Sequence, residues 1–177
     1  ARAARHEARH LPAPAAHLRI QLKTTGAKMK ANKVLVMSIK PKYANMIYDG
    51  SKMFEFRKVP PRNLKAVYVI YESAPVSGLT GAVTFSASFT CRSGAMVSTL
   101  MRIFNQNKAG IIMLMGVTEK ELISYAGGEN EYVTALLVNL HERNSYYSKF
   151  TIRPPQNWGS IKFPGYELIE KTKRLLK

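Results

Sequence analysis

The sequence has little of several things, and each shortage excludes a class of protein. It has one cysteine, Cys91, so no internal disulfide and no metal cage built from cysteines can form. Its apolar runs, such as 34–37 and 111–115, are far shorter than the roughly 20 residues of a membrane-spanning helix. The hydrophobic fraction of 46% is ordinary for a globular protein, which excludes a chain that is disordered throughout. We therefore expect no membrane span and a reducing, cytoplasmic location.

Acidic residues are scarce as well. Asp and Glu total 11 against 27 Lys and Arg, which gives a net charge of +16 on 177 residues. A charge of this size and sign favours a polyanionic partner, with nucleic acid ahead of a membrane surface. The alternative is a solvated basic surface that only keeps the protein soluble.

The composition changes near Met29. Residues 1–28 are rich in Ala, Arg and His, contain two prolines and show no useful apolar face, which predicts a disordered basic tail such as an expression or read-through extension. This tail carries +5 of the charge and three of the four histidines. Only His141 remains in 29–177, so a histidine-built metal site is excluded there. We predict a single domain over 29–177 that uses no metal and no cofactor, of undetermined oligomeric state.

The spacing of apolar residues predicts a mixed α+β domain. Strands are expected at 34–39, 52–58, 67–71, 79–89 and 132–140. Helices are expected from Pro41 to about Gly50, over 92–108, from the capping box at Thr118 to Gly127, and over 168–176.

One short segment combines residue types that bind nucleotides. Residues 50–57 follow the pattern G-x-K-x-x-E-x-R. Glu55 and Arg57 are two apart on a predicted strand and therefore share a face. Lys52 has the opposite phase, unless the chain is twisted or bulged where it leaves Gly50. The alternative is an exposed Lys–Glu–Arg group that forms surface salt bridges.

This segment and its flanks resemble the ASCH domains of the PUA-like group. The resemblance covers about residues 34–160 and is carried by 34–57, 67–75, 78–85, 117–128 and 153–158. It implies a small PUA-like β-barrel with flanking helices, in which the motif residues line a cleft for a nucleotide or nucleic acid. Carried over by position, those residues are Lys52, Glu55 and Arg57.

The resemblance implies two functions. The first is a regulatory module that binds RNA, a nucleotide or a modified nucleoside in a basic cleft. The second is a metal-independent hydrolase of N4-acetylcytidine or RNA, in which Lys52 and Glu55 would be catalytic because a lysine of lowered pKa or a carboxylate can activate water. Amidohydrolase-type members carry Thr where Glu55 stands, and Glu131 is our candidate for their second carboxylate. A third interpretation is a small basic protein-interaction module of the kind that phages encode.

Further candidate ligand-binding residues lie outside the motif. They are Lys40, Tyr71, Ser73, Gln156 and Trp158. Lys40 would add a cation, and either aromatic ring could stack on a base, with core packing or a plug over the barrel as their alternatives. Gln156 could read a base edge or tie its loop to the sheet.

The predicted helix at 92–108 also carries cations. They are Arg92, Arg102 and Lys108. We expect either a basic wall beside the cleft or a core-packing helix whose cations are solvated.

Overall fold

A computed structural model of the protein describes residues 33–149, 152–153, 155 and 158–162. The strands are β1 (Lys33–Ile39), β2 (Phe54–Arg57), β3 (Tyr68–Glu72), β4 (Gly78–Arg92), β5 (Tyr132–Arg143) and β6 (Trp158–Lys162). The helices are α1 (Pro41–Tyr48), α2 (Ser93–Phe104), α3 (Lys108–Met115) and α4 (Glu119–Ala126), followed by a short 3-10 helix, Ser145–Lys149. Among these described helices, none is long and apolar enough to cross a membrane. The tail 1–28, the predicted helix 168–176 and Gln156 lie outside the described residues, so the domain boundary stays a prediction.

The six strands form one curled sheet. Their order is β2-β5-β4-β3-β1-β6, with β1 and β3 parallel and every other neighbouring pair antiparallel. Strand β2 lies at one end of this order, yet its last residue, Arg57, donates from Nη2 to the carbonyl of Ser38 in β1 at 2.7 Å. Trp158 of β6 donates from Nε1 to the carbonyl of Val59 at 2.9 Å. The two ends of the sheet therefore meet through side-chain hydrogen bonds, which gives the sheet a barrel-like shape. The combination of this sheet with the helices confirms the predicted α+β class.

The helices pack at one end of this sheet and over one flank. Helices α2, α3 and α4 cover a buried cluster that includes Phe54, Met96, Leu100 and Met115. Helix α1 covers a separate cluster with Ile47. This packing leaves a gap between α1 and α4, and β2 runs along it.

The capping box that the sequence predicts is present at the start of α4. Glu121 donates its backbone N–H to Thr118 Oγ1 at 3.1 Å, and Thr118 donates its own backbone N–H to Glu121 Oε2 at 2.7 Å. The helix ends where predicted, because Gly127 has a φ of 105°, which a residue with a Cβ rarely adopts.

The single helix predicted over 92–108 is wrong. The segment holds α2 and the start of α3, separated by Asn105 in the left-handed conformation at φ 51°. Asn107 then caps α3, since its side chain accepts from the backbone N–H of Gly110 at 2.8 Å. Asparagine is well suited to both positions, and two asparagines so close together end one helix and begin another.

Gly81 allows β4 to pass close to β5 and α1. A Cβ at Gly81 would overlap the carbonyl oxygen of Glu142 and lie 2.7 Å from the Tyr48 hydroxyl. We expect Gly81→Ala to lower the free energy of unfolding by about 1–3 kcal/mol, because the backbone must shift to admit it. Thermal melts should show no comparable loss for Gly78→Ala, whose nearest neighbouring atom lies at 3.7 Å. Equal losses in the two variants would contradict this explanation.

Candidate functional site

A cleft of about 700 Å³ opens between α1, β2 and α4. Its lining includes all three motif residues, Lys52, Glu55 and Arg57, together with Lys40 at the end of β1. The structure therefore brings four of the sequence-predicted ligand-binding residues to one place.

Arg57 and Glu55 form a buried ion pair at the base of this cleft. Their facing atoms, Arg57 Nη2 and Glu55 Oε1, lie 2.8 Å apart, and both side chains are less than one-tenth exposed. The pair forms because the two residues share one face of β2, as the strand period predicts. The guanidinium lies 5.1 Å from the ring centroid of Trp158, and its bond to Ser38 fixes it further. The group is thus held rigidly at the cleft.

Lys52 reaches the same cleft in spite of its opposite phase on the strand. It precedes β2 in an irregular segment, where its own backbone N–H is donated to the carbonyl of Met46 at 2.8 Å. The next residue, Met53, donates to the carbonyl of Leu114. These two bonds tie the junction between α1 and α3, so the strand alternation does not yet apply at Lys52.

The Lys52 ammonium is buried, and no carboxylate among the described residues forms an ion pair with it. The residue is 2% exposed, and Nζ donates to the carbonyl of Met115 at 2.6 Å. The rings of Phe56 and Tyr43 lie 5.1 and 5.2 Å from it. Burial lowers the pKa of Lys52 below its ordinary 10.5, and the charge of Glu55 opposes this only in part. Burial therefore makes the neutral amine of Lys52 easier to reach than that of an exposed lysine.

This lowered pKa has a consequence for stability. The full cost of burying the charge applies below the folded-state pKa of Lys52. Between that lowered pKa and the unfolded value of 10.5 the unfolded chain binds more protons, so the cost falls away as the pH rises. We expect Lys52→Met to remove the cost. The difference in Tm between this variant and the wild type should therefore shift in favour of the wild type as the pH rises toward 10.5. Melts of Lys65→Met, which alters an exposed lysine, provide the control, and a pH-independent difference for Lys52→Met would contradict the lowered pKa.

Helix α4 supplies a wall of the cleft that the motif did not predict. Lys120, Glu121, Ser124 and Tyr125 all line it. Glu121 is held by its capping bonds, and the pKa of its carboxyl is lowered, first by the backbone N–H of Thr118 and then by the hydroxyl of the same residue. The capping box was the available signal, since it fixes where α4 begins, but nothing in the sequence shows which side of α4 faces β2.

Glu131, our sequence candidate for the second carboxylate of the cleft, does not lie there. Glu131 is exposed, does not line the cleft, and accepts through its backbone carbonyl from the N–H of Ser93. It follows the glycines that end α4, which carry the chain away from the cleft. Glu121 is the second carboxylate at the cleft instead.

Two further candidates do not reach the cleft. Tyr71 is 5% exposed and packs in a core cluster with Val69 and Tyr147, on the face of β3 opposite to Ile70. The structure thus favours its core alternative. Ser73 is half-buried and donates its backbone N–H to the carbonyl of Ile39, which extends the pairing of β1 and β3.

Trp158 lies behind the cleft rather than in its lining. Its ring lies 5.0 Å from the ring of Tyr68 and 5.1 Å from the Arg57 guanidinium, and its indole N–H donates to the carbonyl of Val59. A ring held by these contacts closes the barrel and positions Arg57. The contacts of Trp158 therefore favour the alternative interpretation, in which its ring is a plug over the barrel.

The basic wall expected from 92–108 does not line the cleft. Arg92 precedes α2 and bonds Asn130 at 3.2 Å. Lys108 begins α3 and pairs with Glu119 at 2.6 Å on the surface. These cations are solvated, as in the alternative interpretation. Within the described part of the chain, no three His, Cys, Asp or Glu residues gather as a metal site would require.

Comparisons with known proteins agree with this architecture. No family model and no curated protein matches the sequence. A serine-to-alanine variant of the ZmASCH protein from Zymomonas mobilis is 23% identical and superposes with a TM-score of 0.57, covering 82% of this chain and 99% of its own. The ASCH protein from Zymomonas mobilis is 24% identical with a TM-score of 0.56, covering 80% of this chain and 92% of its own. The chain therefore has the fold of an ASCH domain, which confirms, at the level of the fold, the resemblance carried by its sequence.

Proposed function

We propose that this protein binds RNA or a nucleotide, with one base held in the cleft, and that it acts as a regulatory binding module. The observation that carries the proposal is the convergence of Lys52, Glu55 and Arg57 in one cleft of about 700 Å³. That volume lies in the range of small-molecule sites. The cleft also offers the rings of Tyr43 and Tyr125, and aromatic faces are the usual stacking partners of unpaired bases.

The mouth of the cleft suits a phosphate backbone. Two exposed lysines, Lys40 and Lys120, line it. Two more exposed lysines, Lys42 and Lys58, lie beside tyrosine rings that line it. Lys42 lies 5.5 Å from the Tyr43 ring and Lys58 lies 5.7 Å from the Tyr125 ring, so a cation accompanies each candidate stacking surface. Phosphate contacts from such lysines would supply affinity, while the buried polar groups supply selectivity. A cytoplasmic location is part of the proposal, in keeping with the free Cys91.

Salt dependence tests this proposal. If three or four phosphates are neutralised, the affinity for a single-stranded RNA should fall about tenfold or more between roughly 50 and 200 mM salt. Fluorescence anisotropy with a labelled oligonucleotide measures it. Lys120→Gln should reduce the logarithmic salt slope by about 0.7, as expected for the loss of one phosphate contact. Affinity that is equal at both salt concentrations would contradict binding through phosphates, and Arg102→Gln, which alters an exposed cation on α2, is the matched control.

A hydrolase is the second candidate, and a specific observation favours it. Lys52 has a pKa lowered by burial, and Glu121 adds a second carboxylate to the cleft beside Glu55. A buried lysine that can exist uncharged is able to take a proton from water or from a nucleophile, while a carboxylate orients it. Atom for atom, the reaction would add water across an amide or phosphodiester bond and would use no metal.

Turnover assays separate the two candidates. The protein is incubated with N4-acetylcytidine and with end-labelled RNA, in the presence of EDTA, beside Lys52→Met and the exposed control Lys65→Met. Product formed by the wild type and by the control, but not by Lys52→Met, would establish the hydrolase and contradict the module that only binds. If the wild type forms no product from either substrate but binds RNA, the hydrolase candidate is rejected.

A further inference from the structure

The side chain of Lys52 packs beside Met46 at a notch in the backbone. Gly116 follows α3 with a φ of 63°, and a Cβ at this glycine would lie 2.8 Å from the methyl carbon of Met46. The same Cβ would lie 3.2 Å from Cγ and 3.3 Å from Cβ of Lys52. The thioether of Met46 and the aliphatic stem of Lys52 therefore meet over Gly116, in space that only a glycine leaves open.

Met46 also holds the backbone of Lys52. The Met46 carbonyl accepts the backbone N–H of Lys52 at 2.8 Å, while the Lys52 ammonium donates to the Met115 carbonyl at 2.6 Å. Lys52 lines the cleft, whereas Met46 does not. Met46 is therefore a positioning residue, which affects a bound ligand only through the place that it gives to Lys52.

Exposure distinguishes Met46 from most other methionines that the structure describes. Met113 and Met53 are 67% and 39% exposed, so water can solvate a polar group on either sulfur without any rearrangement. Three more have no exposed surface and are shielded from an oxidant, namely Met37, Met96 and Met115. Met46 is half-buried, so an oxidant can reach its sulfur although its methyl group is packed. Met101 is half-buried as well, but it belongs to α2 and does not line the cleft.

Hydrogen peroxide converts a methionine thioether into a sulfoxide. The sulfur attacks one peroxide oxygen, an S–O bond forms as the O–O bond breaks, and water leaves, so the sulfur gives two electrons to the peroxide. A sulfoxide is polar, and a buried polar group without a hydrogen-bond partner is costly. Over Gly116 it would face the aliphatic stem of Lys52, so it must turn toward water. Lys52 then loses the packing that fixes its stem.

We propose that oxidation of Met46 to the sulfoxide displaces Lys52 and weakens ligand binding in the cleft, so that the protein responds to peroxide. This regulation rests on the proposed binding of RNA or a nucleotide. It needs no disulfide, because methionine sulfoxide reductases reverse the reaction. The single cysteine, Cys91, is a poor competitor for peroxide, since burial raises the pKa of its thiol.

Peroxide treatment, followed by peptide mass mapping and fluorescence anisotropy, tests this regulation. As the sulfoxide of Met46 accumulates, the affinity for a single-stranded RNA should fall about three- to tenfold, which is part of the roughly 10- to 100-fold that hydrogen bonds to a charged group contribute. Methionine sulfoxide reductases A and B with a thiol reductant should restore the affinity. The thiol reductant alone, which reverses only the milder oxidation of Cys91, should not.

Three variants assign the loss to Met46 and to its contact with Lys52. Peroxide should not lower the affinity of Met46→Leu, because leucine has a similar volume and no sulfur. Met101→Leu removes the other half-buried methionine, and it should lose affinity on oxidation as the wild type does. Lys52→Gln removes the group that Met46 positions, so oxidation should cost this variant little further affinity.

Equal losses in Met46→Leu and in the wild type would overturn the role of Met46. An unchanged wild-type affinity after complete oxidation of Met46 would overturn it too, and both results would leave the proposed function standing. If Met46→Leu does not fold, the wild type decides, since a loss that the reductases do not reverse contradicts a sulfoxide switch. A protein that binds no RNA before treatment rejects the proposed function and this regulation with it.

Discussion

Arg57→Met is expected to lower the free energy of unfolding by about 3–5 kcal/mol, because it leaves the Glu55 carboxylate buried without its partner. Glu55 is 7% exposed, so water cannot replace the guanidinium at low cost. The same change removes the bond to the Ser38 carbonyl, which joins β2 to β1, and the contact with the Trp158 ring of β6. Urea denaturation followed by circular dichroism measures the effect.

A double variant distinguishes the buried charge from lost packing. Glu55→Leu combined with Arg57→Met removes both charges, so it should recover much of the stability that Arg57→Met loses. The surface pair of Lys108 and Glu119 provides the matched control. Lys108 has a side chain that is 63% exposed, and Lys108→Met should cost less than about 1 kcal/mol although its ion pair is shorter, at 2.6 Å. A loss for Arg57→Met as small as this would show that the Arg57–Glu55 pair behaves as an exposed one.

The alternation of side chains along a strand predicted much of the site. It placed Glu55 and Arg57 on one face of β2, which brings the two side chains within reach of each other, and they meet at 2.8 Å. The residues that begin and end helices were equally informative, since proline, glycine and the capping box at Thr118 mark the ends of α1 and α4 correctly. These features are local, because each depends on residues within one or two turns of the chain.

Distant segments decided what the sequence left open or missed. Tyr71 alternates along β3 as a strand residue should, but whether its face meets a ligand or a core depends on Tyr147, 76 positions further along the chain, which packs against it. Likewise, Lys52 reaches the cleft because Met46 and Leu114 tie down the irregular segment before β2. Glu121 was missed for the same reason, since the approach of α4 to β2 is a tertiary contact that no local spacing encodes.

The division of the helix at 92–108 was a different kind of error. The local signal was present, as Asn105 and Asn107 are residues that end and begin helices. Apolar residues at helical spacing on both sides concealed the break. The consequence for function is direct, because the cations on these helices then lie outside the cleft and the lysines around its mouth take their place in the proposal.

Lys52→Met should reduce the affinity for single-stranded RNA by about 10- to 100-fold, since hydrogen bonds to a charged group contribute about 1.5–3 kcal/mol. The ammonium has three donors, and within the described part of the chain one of them is used, by the Met115 carbonyl. Methionine matches the length and apolar character of the buried stem, and the neighbouring rings of Tyr43 and Phe56 still have a partner to pack against. Fluorescence anisotropy at fixed salt measures the loss, and a thermal melt establishes that the variant is folded.

The comparison with Lys120→Met determines where the affinity originates. Lys120 is an exposed cation at the mouth, so its loss should weaken binding only a few-fold and should reduce the salt slope. Lys52→Met should instead weaken binding strongly and leave the salt slope almost unchanged, because a buried group that contacts the base releases no counterion from the backbone. If Lys52→Met binds as the wild type does while Lys120→Met does not, the RNA is held by phosphate contacts alone and the cleft is not its binding site.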